Sequence, residues 1–484
     1  MQTRKDRWQE DLFVASPLRA LVPEEHILQR VDKVLDLSWI HEAVQDRYCQ
    51  DNGRGSIDPE CALRLMLAGF FQGIVQDRAL MREAQVNLAI RWFAGYRLDE
   101  TLPHHSSLTR IRQRWGEAVF REVFERTVRA CAQAGLVDTR TVHVDATLIR
   151  ADVSWDSLTT RHAEQVIEAH RGEESDEDAA PPDDAPPSAK RGRPRGPARP
   201  KKYSPTDPDA TMATSSKGYH LEPTYKQHTA VEDRSGVIVD VAVTTGQHNE
   251  GKVLLAQIDR IEALTASPTE TVTADAAYAH ATNYDDLEQR GTDPVIPPQG
   301  QARRKGKERI PSQRFKYDAK HQRLTCPAGK ALRGQGRNAR DTGHWYRARR
   351  SDCRTCPLRQ RCLSPNAKAR AVLIADAYPA LLRARRRKAK GWDDQTRDTY
   401  TRHRWRVEGV HGRAKTHHGL ARAVRRGLAN VSIQAYLTAA VMNLKTQVTA
   451  LTASFLPIRA ALQRLWGALR TPQRTYGAPA LLAA

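Results

Sequence analysis

Thr141-Val-His-Val-Asp-Ala-Thr147 is where the chain changes period. Upstream, apolar residues recur every three or four positions; here Val142 and Val144 alternate with His143 and Asp145, which is strand spacing. Two further stretches, Tyr225-Lys-Gln-His-Thr-Ala-Val231 and Gly236-Val-Ile-Val-Asp-Val-Ala-Val-Thr244, repeat the pattern, and polar turn residues at 246–251 follow them. A helix through Leu254, Leu255, Ile258 and Ile261 comes next, then a strand Thr271-Val-Thr-Ala-Asp275, a helix Thr282 to Gln289 and a short strand Pro294-Val-Ile-Pro297. Strands first adjacent in sequence and then separated by helices predict a mixed α/β sheet. Asp145 lies opposite the valine face of its strand and Asp275 ends another, so pairing of those strands would bring two carboxylates to one sheet edge.

Before this stretch, residues 56–136 read as helices. Asp58-Pro59-Glu60 supplies an N-cap, a proline at the first helical position and an acid at the positive helix end, predicting a helix from Pro59 to Phe71. Ser106-Ser107 can cap Leu108-Thr-Arg-Ile-Arg-Gln-Arg-Trp115, whose Arg110, Arg112 and Arg114 fit either a DNA-contacting helix or the solvated side of a core helix.

The chain has 484 residues, room for roughly three average domains, and 40% hydrophobic content suited to a folded core. Its 77 Lys plus Arg against 56 Asp plus Glu leave a formal charge of +21, with an isoelectric point near 9.9. An excess of this size on a chain without a long apolar run points to nucleic acid and away from a membrane-spanning protein. The charged stretch Met1 to Glu10 lacks the apolar heart of a secretory signal, which places the protein in the cytoplasm.

Two segments interrupt the β-rich region. Residues 172–207 turn from acidic to basic amid prolines and are expected to be a disordered tether. Within it, Arg191-Gly192-Arg193-Pro194 resembles an AT-hook core, or is simply part of a basic tether. Residues 301–379 carry Cys326, Cys353, Cys356 and Cys362, with proline after Cys326 and Cys356. Four thiolates could hold Zn²⁺ and so fold an insertion lacking its own core; free buried thiols are the alternative. Cys49, Cys61 and Cys131 read as core residues. Beyond Trp392 the chain is helical again, including Val431 to Lys445 and an amphipathic end from about Phe455 to Leu469.

Cutting a phosphodiester requires a nucleophilic water and relief of charge on the phosphate and the leaving oxygen, which two Mg²⁺ ions about 4 Å apart can supply. Such ions take carboxylates. Asp145 and Asp275 fit; Asp240 and Asp152 are rivals that periodicity does not reject. A third acid would come from a later helix, where Arg404-Trp-Arg-Val-Glu408-Gly-Val-His-Gly-Arg-Ala-Lys415 puts Arg404, Glu408, His411 and Lys415 on one face. By spacing alone, Glu408 is equally an ordinary ion-paired helix residue.

Val144-Asp-Ala-Thr147, Ala274-Asp-Ala-Ala-Tyr278 and the Arg404, Glu408, Lys415 spacing resemble the three catalytic blocks of bacterial insertion-sequence DDE transposases with a ribonuclease-H-like core. Asn87-Leu-Ala-Ile-Arg-Trp-Phe-Ala-Gly95, Thr206-Asp-Pro-Asp-Ala210, the Cys-Pro pairs and Gly419-Leu-Ala-Arg-Ala-Val-Arg-Arg-Gly427 extend the likeness over most of the chain. The resemblance implies a ribonuclease-H-like mixed sheet, Asp145, Asp275 and Glu408 as Mg²⁺ (or Mn²⁺) ligands, and phosphate contacts from Arg404 and Lys415. It also implies strand cleavage at an element's ends followed by attack of the 3′-hydroxyl on target DNA. Double-stranded DNA is the partner implied, with a homodimer acting on two ends beside the bacterial nucleoid. The group often has a Tyr three residues before its Arg; here that position is Thr401 with Tyr400 beside it, and the register of the aromatic is open.

The expected organisation is a helical DNA-binding region (1–136), a first catalytic part (137–300), the cysteine-bearing insertion (301–379), a part completing the catalytic domain (380–448) and a C-terminal helix and tail (449–484). Two other readings stand beside it. One is a non-catalytic DNA-binding regulator derived from a transposase. The other is a tyrosine recombinase using Tyr436 as nucleophile, with His403-Arg-Trp-Arg406 as its His-x-x-Arg.

Overall fold

The change of period at Thr141 marks the central strand of a six-stranded mixed sheet. The computed structural model describes residues 16–49, 55–153, 206–213, 222–299, 310–364 and 366–469. In chain order the sheet's strands are β1 (Thr141–Arg150), β2 (Thr211–Ala213), β3 (Glu222–Glu232), β4 (Ile238–Thr245), β5 (Thr271–Ala274) and β6 (Asp293–Val295). β1 pairs antiparallel with β3, with Asp145 opposite Thr229, and parallel with β5, with Val144 opposite Ala274. β4 runs antiparallel to β3, β2 continues the same side of β3 beyond the end of β4, and β6 runs parallel to β5. A three-stranded antiparallel meander extended by two parallel strands is the ribonuclease-H-like arrangement expected. Val142, Val144, Val231 and Val272 are all fully buried and stabilise the sheet by roughly 1.5–3 kcal/mol apiece.

The helices preceding the sheet are α1 (Ile27–Asp32), α2 (Ile40–Val44), α3 (Pro59–Phe71), α4 (Asp77–Val86), α5 (Leu88–Phe93) and α6 (His105–Gln133). α3 has the expected bounds, with the Asp58 carboxylate accepting from Cys61 N at 3.0 Å. α6 is far longer than expected, because the chain resumes helical geometry after Gly116, a kink at φ 73° that glycine tolerates. Its N-cap is His104 rather than the serines.

The sheet domain adds α7 (Leu254–Thr265) and α8 (Ala281–Gln289). Then come the short helices α9 (Arg350–Arg354) and α10 (Arg359–Cys362), followed by α11 (Tyr378–Lys390), α12 (Asp394–His417) and α13 (Leu428–Leu469). α13 runs unbroken across the expected 448/449 boundary and packs on both α6 and β4, so the first and last helices share one core. The Thr206–Ala210 run has a structural task here. Asp207 accepts from Tyr225 and from Gly427 N, and Asp209 accepts from Leu428 N at 2.8 Å, so both aspartates cap α13. The expected tether lies outside the described residues except for Thr206 and Asp207, which belong to the fold. The AT-hook-like residues and the side chains of the 455–469 segment also lie outside them.

The cysteine-bearing insertion is built differently from the expectation. It forms a second sheet, entirely antiparallel, from β7 (Lys316–Asp318), β8 (Arg323–Thr325), β9 (Ala331–Arg337), β10 (Gly343–Arg347) and β11 (Ala371–Ala375). It also has an apolar core of its own, around Phe315, Leu324, Tyr346 and Ile374. Among the described residues no helix is long and apolar enough to cross a membrane.

Candidate active site

β1 is longer than its parallel neighbour. Pairing with β5 stops at Val144 and Ala274, so the next residue of each, Asp145 and Asp275, stands where the edge of β1 opens. Farther along, Arg150 is recaptured by the segment after α12, with Ala423 N donating to Arg150 O at 2.7 Å. The gap between these two pairings is a cleft lined by Asp145, Thr147, Lys226, Glu250, Asp275 and Lys415. Asp275 also caps the turn that follows it, accepting from Ala277 N at 2.8 Å. Burial pushes the Asp145 carboxyl up to about 7 despite its bond to Ala146 N–H, and the charges of Asp275, Glu250 and Glu408 add to the effect. Asp275 is raised too, chiefly by burial and then by Glu250, while its bond to Ala277 N–H and the Lys226 ammonium oppose the rise.

The donors of this cleft are hard carboxylate oxygens, which suit Mg²⁺ or Mn²⁺. Two further features fit a cation: acids crowded enough to resist ionisation, and the Tyr278 hydroxyl, on a fully buried ring without a hydrogen-bond partner among the described residues. Among the described residues, no three His, Cys, Asp or Glu form a group that would hold an ion as they stand. The two aspartates are in place; the third acid is not drawn in.

That third acid rides on α12, whose N-terminus is capped by Asp393 accepting from Thr396 N at 2.7 Å. His403, Val407, Val410 and Ala414 form its buried line. Tyr400, Arg404, Glu408, His411 and Lys415 follow helical spacing along the flank beside it, but burial divides them. His411 is buried, bonded to Thr229 Oγ1 at 3.0 Å and 3.8 Å from Asp145. Burial, then the Lys415 charge, press its imidazole down to about 3, so it is neutral at pH 7. Lys415 is half-buried in the cleft wall. Arg404 and Glu408 stay in solvent, with side chains 81% and 62% exposed and 3.4 Å apart. Thr401 is exposed and bonds back to Arg397 O, while Tyr400 is half-buried, stacks on His403 and feels the charges of Asp275 and Asp145. The aromatic on the cleft flank is therefore residue 400.

Two family models match the chain: one described as Transposase domain (DUF772) over residues 16–114, the other as Transposase DDE domain over residues 200–444. The chain belongs to the DDE transposases. No curated protein matches it in sequence. A solved structure described as a cryo-EM structure of piggyBac transposase synaptic complex with hairpin DNA resembles it at 10% identity, over 93% of this chain and 80% of that one. The TM-score of 0.28 is too low for any argument about this chain.

In this transposase the rival residues are spent elsewhere. Asp240 is on the opposite sheet face from Asp145, bonded to Arg260 at 2.7 Å and to Gln257 at 3.0 Å. Asp152 pairs with Arg422. Tyr436 is buried against Phe124 with its hydroxyl donating to Glu117, which removes it as a nucleophile. Arg112, one of the three arginines expected on either a DNA-contacting or a solvated helix face, is 2% exposed and clamped on Asp77, which also holds Arg425. This buried triad ties α4 and α6 to the segment after α12 and is structural.

The four insertion cysteines are half-buried. Cys326, Cys353 and Cys362 pack against the insertion's apolar core, and burial raises the Cys362 thiol; as they stand, the four sulfurs form no group that would hold an ion. Cys326 Sγ accepts from Lys330 N at 3.3 Å across a turn. Cys131 is buried as expected, Cys61 only half so, and Cys49 is exposed, contrary to the core reading.

Nothing in the sequence singled out His143 or Thr273. In the fold, Thr273 Oγ1 joins His143 Nδ1 at 2.6 Å to His403 Nδ1 at 3.0 Å, while His143 Nε2 meets Asp233 at 2.9 Å. This buried chain clamps α12 to the sheet one turn before Glu408. The available signal was period two: a residue two before a strand Asp shares its face.

Proposed function

We propose that this DDE transposase cleaves DNA at the ends of a mobile element and joins the freed 3′-hydroxyl to target DNA, with Asp145, Asp275 and Glu408 as ligands for two divalent ions. The observation that carries the reading is the meeting of Asp145 and Asp275 at one open sheet edge, with the Glu408 charge reaching Asp145 from the overlying helix. Bound Mg²⁺ or Mn²⁺ would polarise the attacking oxygen and neutralise the leaving one. The aspartates, fixed by strand pairing, would orient the phosphate. Lys415 would neutralise it from the cleft wall, and Arg404 would follow once DNA draws its exposed side chain away from Glu408. Residues 16–136 would then bind the element's ends, in a homodimer that holds two of them.

The test is cleavage of a plasmid carrying the DNA that flanks the gene, with Mg²⁺ or Mn²⁺ present. Asp145→Asn, Asp275→Asn and Glu408→Gln are each expected to abolish cleavage while DNA binding persists. Cleavage retained by any one of them removes that residue from the set, and absence of cleavage by the unchanged chain favours a DNA-binding regulator. For the insertion we propose a structural Zn²⁺ on Cys326, Cys353, Cys356 and Cys362, supported by the packing of Cys326, Cys353 and Cys362 against one small core. Elemental analysis of the purified protein is expected to find zinc, and a Cys356→Ser variant is expected to lack it.

A further inference from the structure

Glu250 lines the same cleft as Asp145 and Asp275. It opens the 3-10 turn Glu250–Lys252 after β4, and Asn249 caps that turn by accepting from Gly251 N at 2.9 Å. The turn is not free to drift. Asn283 Nδ2 donates to Gly251 O at 2.9 Å and to Tyr278 O at 3.0 Å, tying it to the loop that carries Asp275. A side chain at 251 would collide with the His280 ring, 2.6 Å from where its Cβ would sit, so glycine is required by the close approach.

Glu250 pairs with Lys226 Nζ at 2.8 Å, and Lys226 also donates to His248 O at 2.9 Å. The two side chains are only 22% and 12% exposed. An ion pair so enclosed gives up much of its hydration and is a poor source of stability for its own sake. A lysine ammonium paired directly with one of the cleft carboxylates does, however, offset the negative charge that Asp145, Asp275 and Glu250 bring together there. A separate observation points to a polar occupant: the Tyr278 hydroxyl, on a fully buried ring, has no hydrogen-bond partner among the described residues, and the charges that reach it are those of Asp145, Glu250 and Asp275. Buried polar groups left without partners in a native fold call for an explanation such as a missing ion or ligand.

We propose that Glu250 is a fourth carboxylate of the cation-binding cleft and that Lys226 is its resident counter-charge, displaced when a divalent ion enters. This rests on the two-ion reading above. Glu250 would approach the ion from the sheet side and Glu408 from the helix side, with the strand aspartates between them. Lys226, once released, would remain at the cleft wall as a cation for the DNA phosphate. Removing the acid and removing the lysine should therefore act in opposite directions on ion affinity, which a shared structural role would not produce.

Mn²⁺ binding to the full chain without DNA, followed by calorimetry or by the electron paramagnetic resonance of free Mn²⁺, reads this directly. Glu250→Gln is expected to weaken binding about tenfold or more, as loss of a supporting acid does at other metal sites. Glu250→Asp, which keeps the charge, should recover most of it, and Lys226→Gln should bind more tightly than the unchanged chain. Should Glu250→Gln fail to fold, Lys226→Gln and Glu250→Asp still carry the test. Unaltered affinity in Glu250→Gln, or a loss in Lys226→Gln equal to it, overturns the proposal. If Asp145→Asn abolishes binding while Glu250→Gln does not change it, only this inference fails. If the unchanged chain binds no Mn²⁺, the two-ion reading falls with it.

Discussion

The sheet edge and the flank of α12 carry the proposed acids under opposite physical conditions. Asp145 and Asp275 are set by backbone pairing, lie largely out of water, and resist ionisation chiefly because burial opposes it, aided by the charges of Asp275 and Glu250 at Asp145 and of Glu250 at Asp275. Glu408 is set by helix packing, keeps a 62% exposed side chain, and pairs with Arg404 at 3.4 Å. A strand fixes the residue next to its last pairing within a fraction of an ångström, whereas a helix flank leaves a long side chain free to swing. The difference teaches that, on the proposed assignment, two of the three acids are pre-organised and the third would have to be recruited. Recruitment by DNA, which would take Arg404 away from Glu408, makes assembly of the site depend on substrate.

The largest effect that would separate these regions lies in ion binding without DNA. Asp145→Asn is expected to remove most Mn²⁺ affinity and Glu408→Gln to change it little, although both abolish cleavage; equal losses would erase the distinction. A smaller effect concerns the clamp between the regions. Thr273→Val removes the hydroxyl shared by His143 and His403 and should cost about 1–3 kcal/mol in urea unfolding, the penalty for buried groups left unpaired. If the helix flank were positioned independently of the sheet, stability would not move.

The smallest effect is a slope with pH. Burial presses His403 and His418 down to about 4, well below the ordinary 6.5. Below pH 6.5 these two imidazoles bind more protons unfolded than folded, so their contribution to stability rises with pH, while the Asp145 carboxyl, held at about 7, opposes it. In an Asp145→Asn chain the histidine contribution should be fully present above about pH 6.5 and decline as pH falls toward 4, as read by urea midpoints at pH 7.5 and pH 5. Identical midpoints would show that these imidazoles are not held neutral by the α12 contacts.

Much of this was legible beforehand because it rests on local rules. The alternation at Thr141–Thr147 and the run at 236–244 specify strands through side-chain direction alone, and Asp58-Pro59 specifies a helix start through its cap. The misreadings share one cause. Arg112 had the look of a surface arginine, but Asp77 lies 35 residues away in sequence and meets it only in the fold. The insertion's core joins Phe315 to Ile374, a contact that no short window contains. Thr273 gave no sign of its role because a hydroxyl between two imidazoles depends on a parallel strand pair and a helix laid across it.

By itself the sequence determined a basic chain with a mixed sheet, two strand aspartates at matching positions, and a later helix bearing Glu408 at the spacing of the third block. Periodicity and capping are properties of neighbours along the chain, so neighbours suffice to read them. Tertiary structure alone decided that Asp240 faces away, that Tyr400 rather than Thr401 lies on the cleft flank, and that Glu250 and Lys226 share the cleft. Those outcomes follow from which edge of β1 is left unpaired and which helix covers it, and both are set by contacts between residues far apart in the chain.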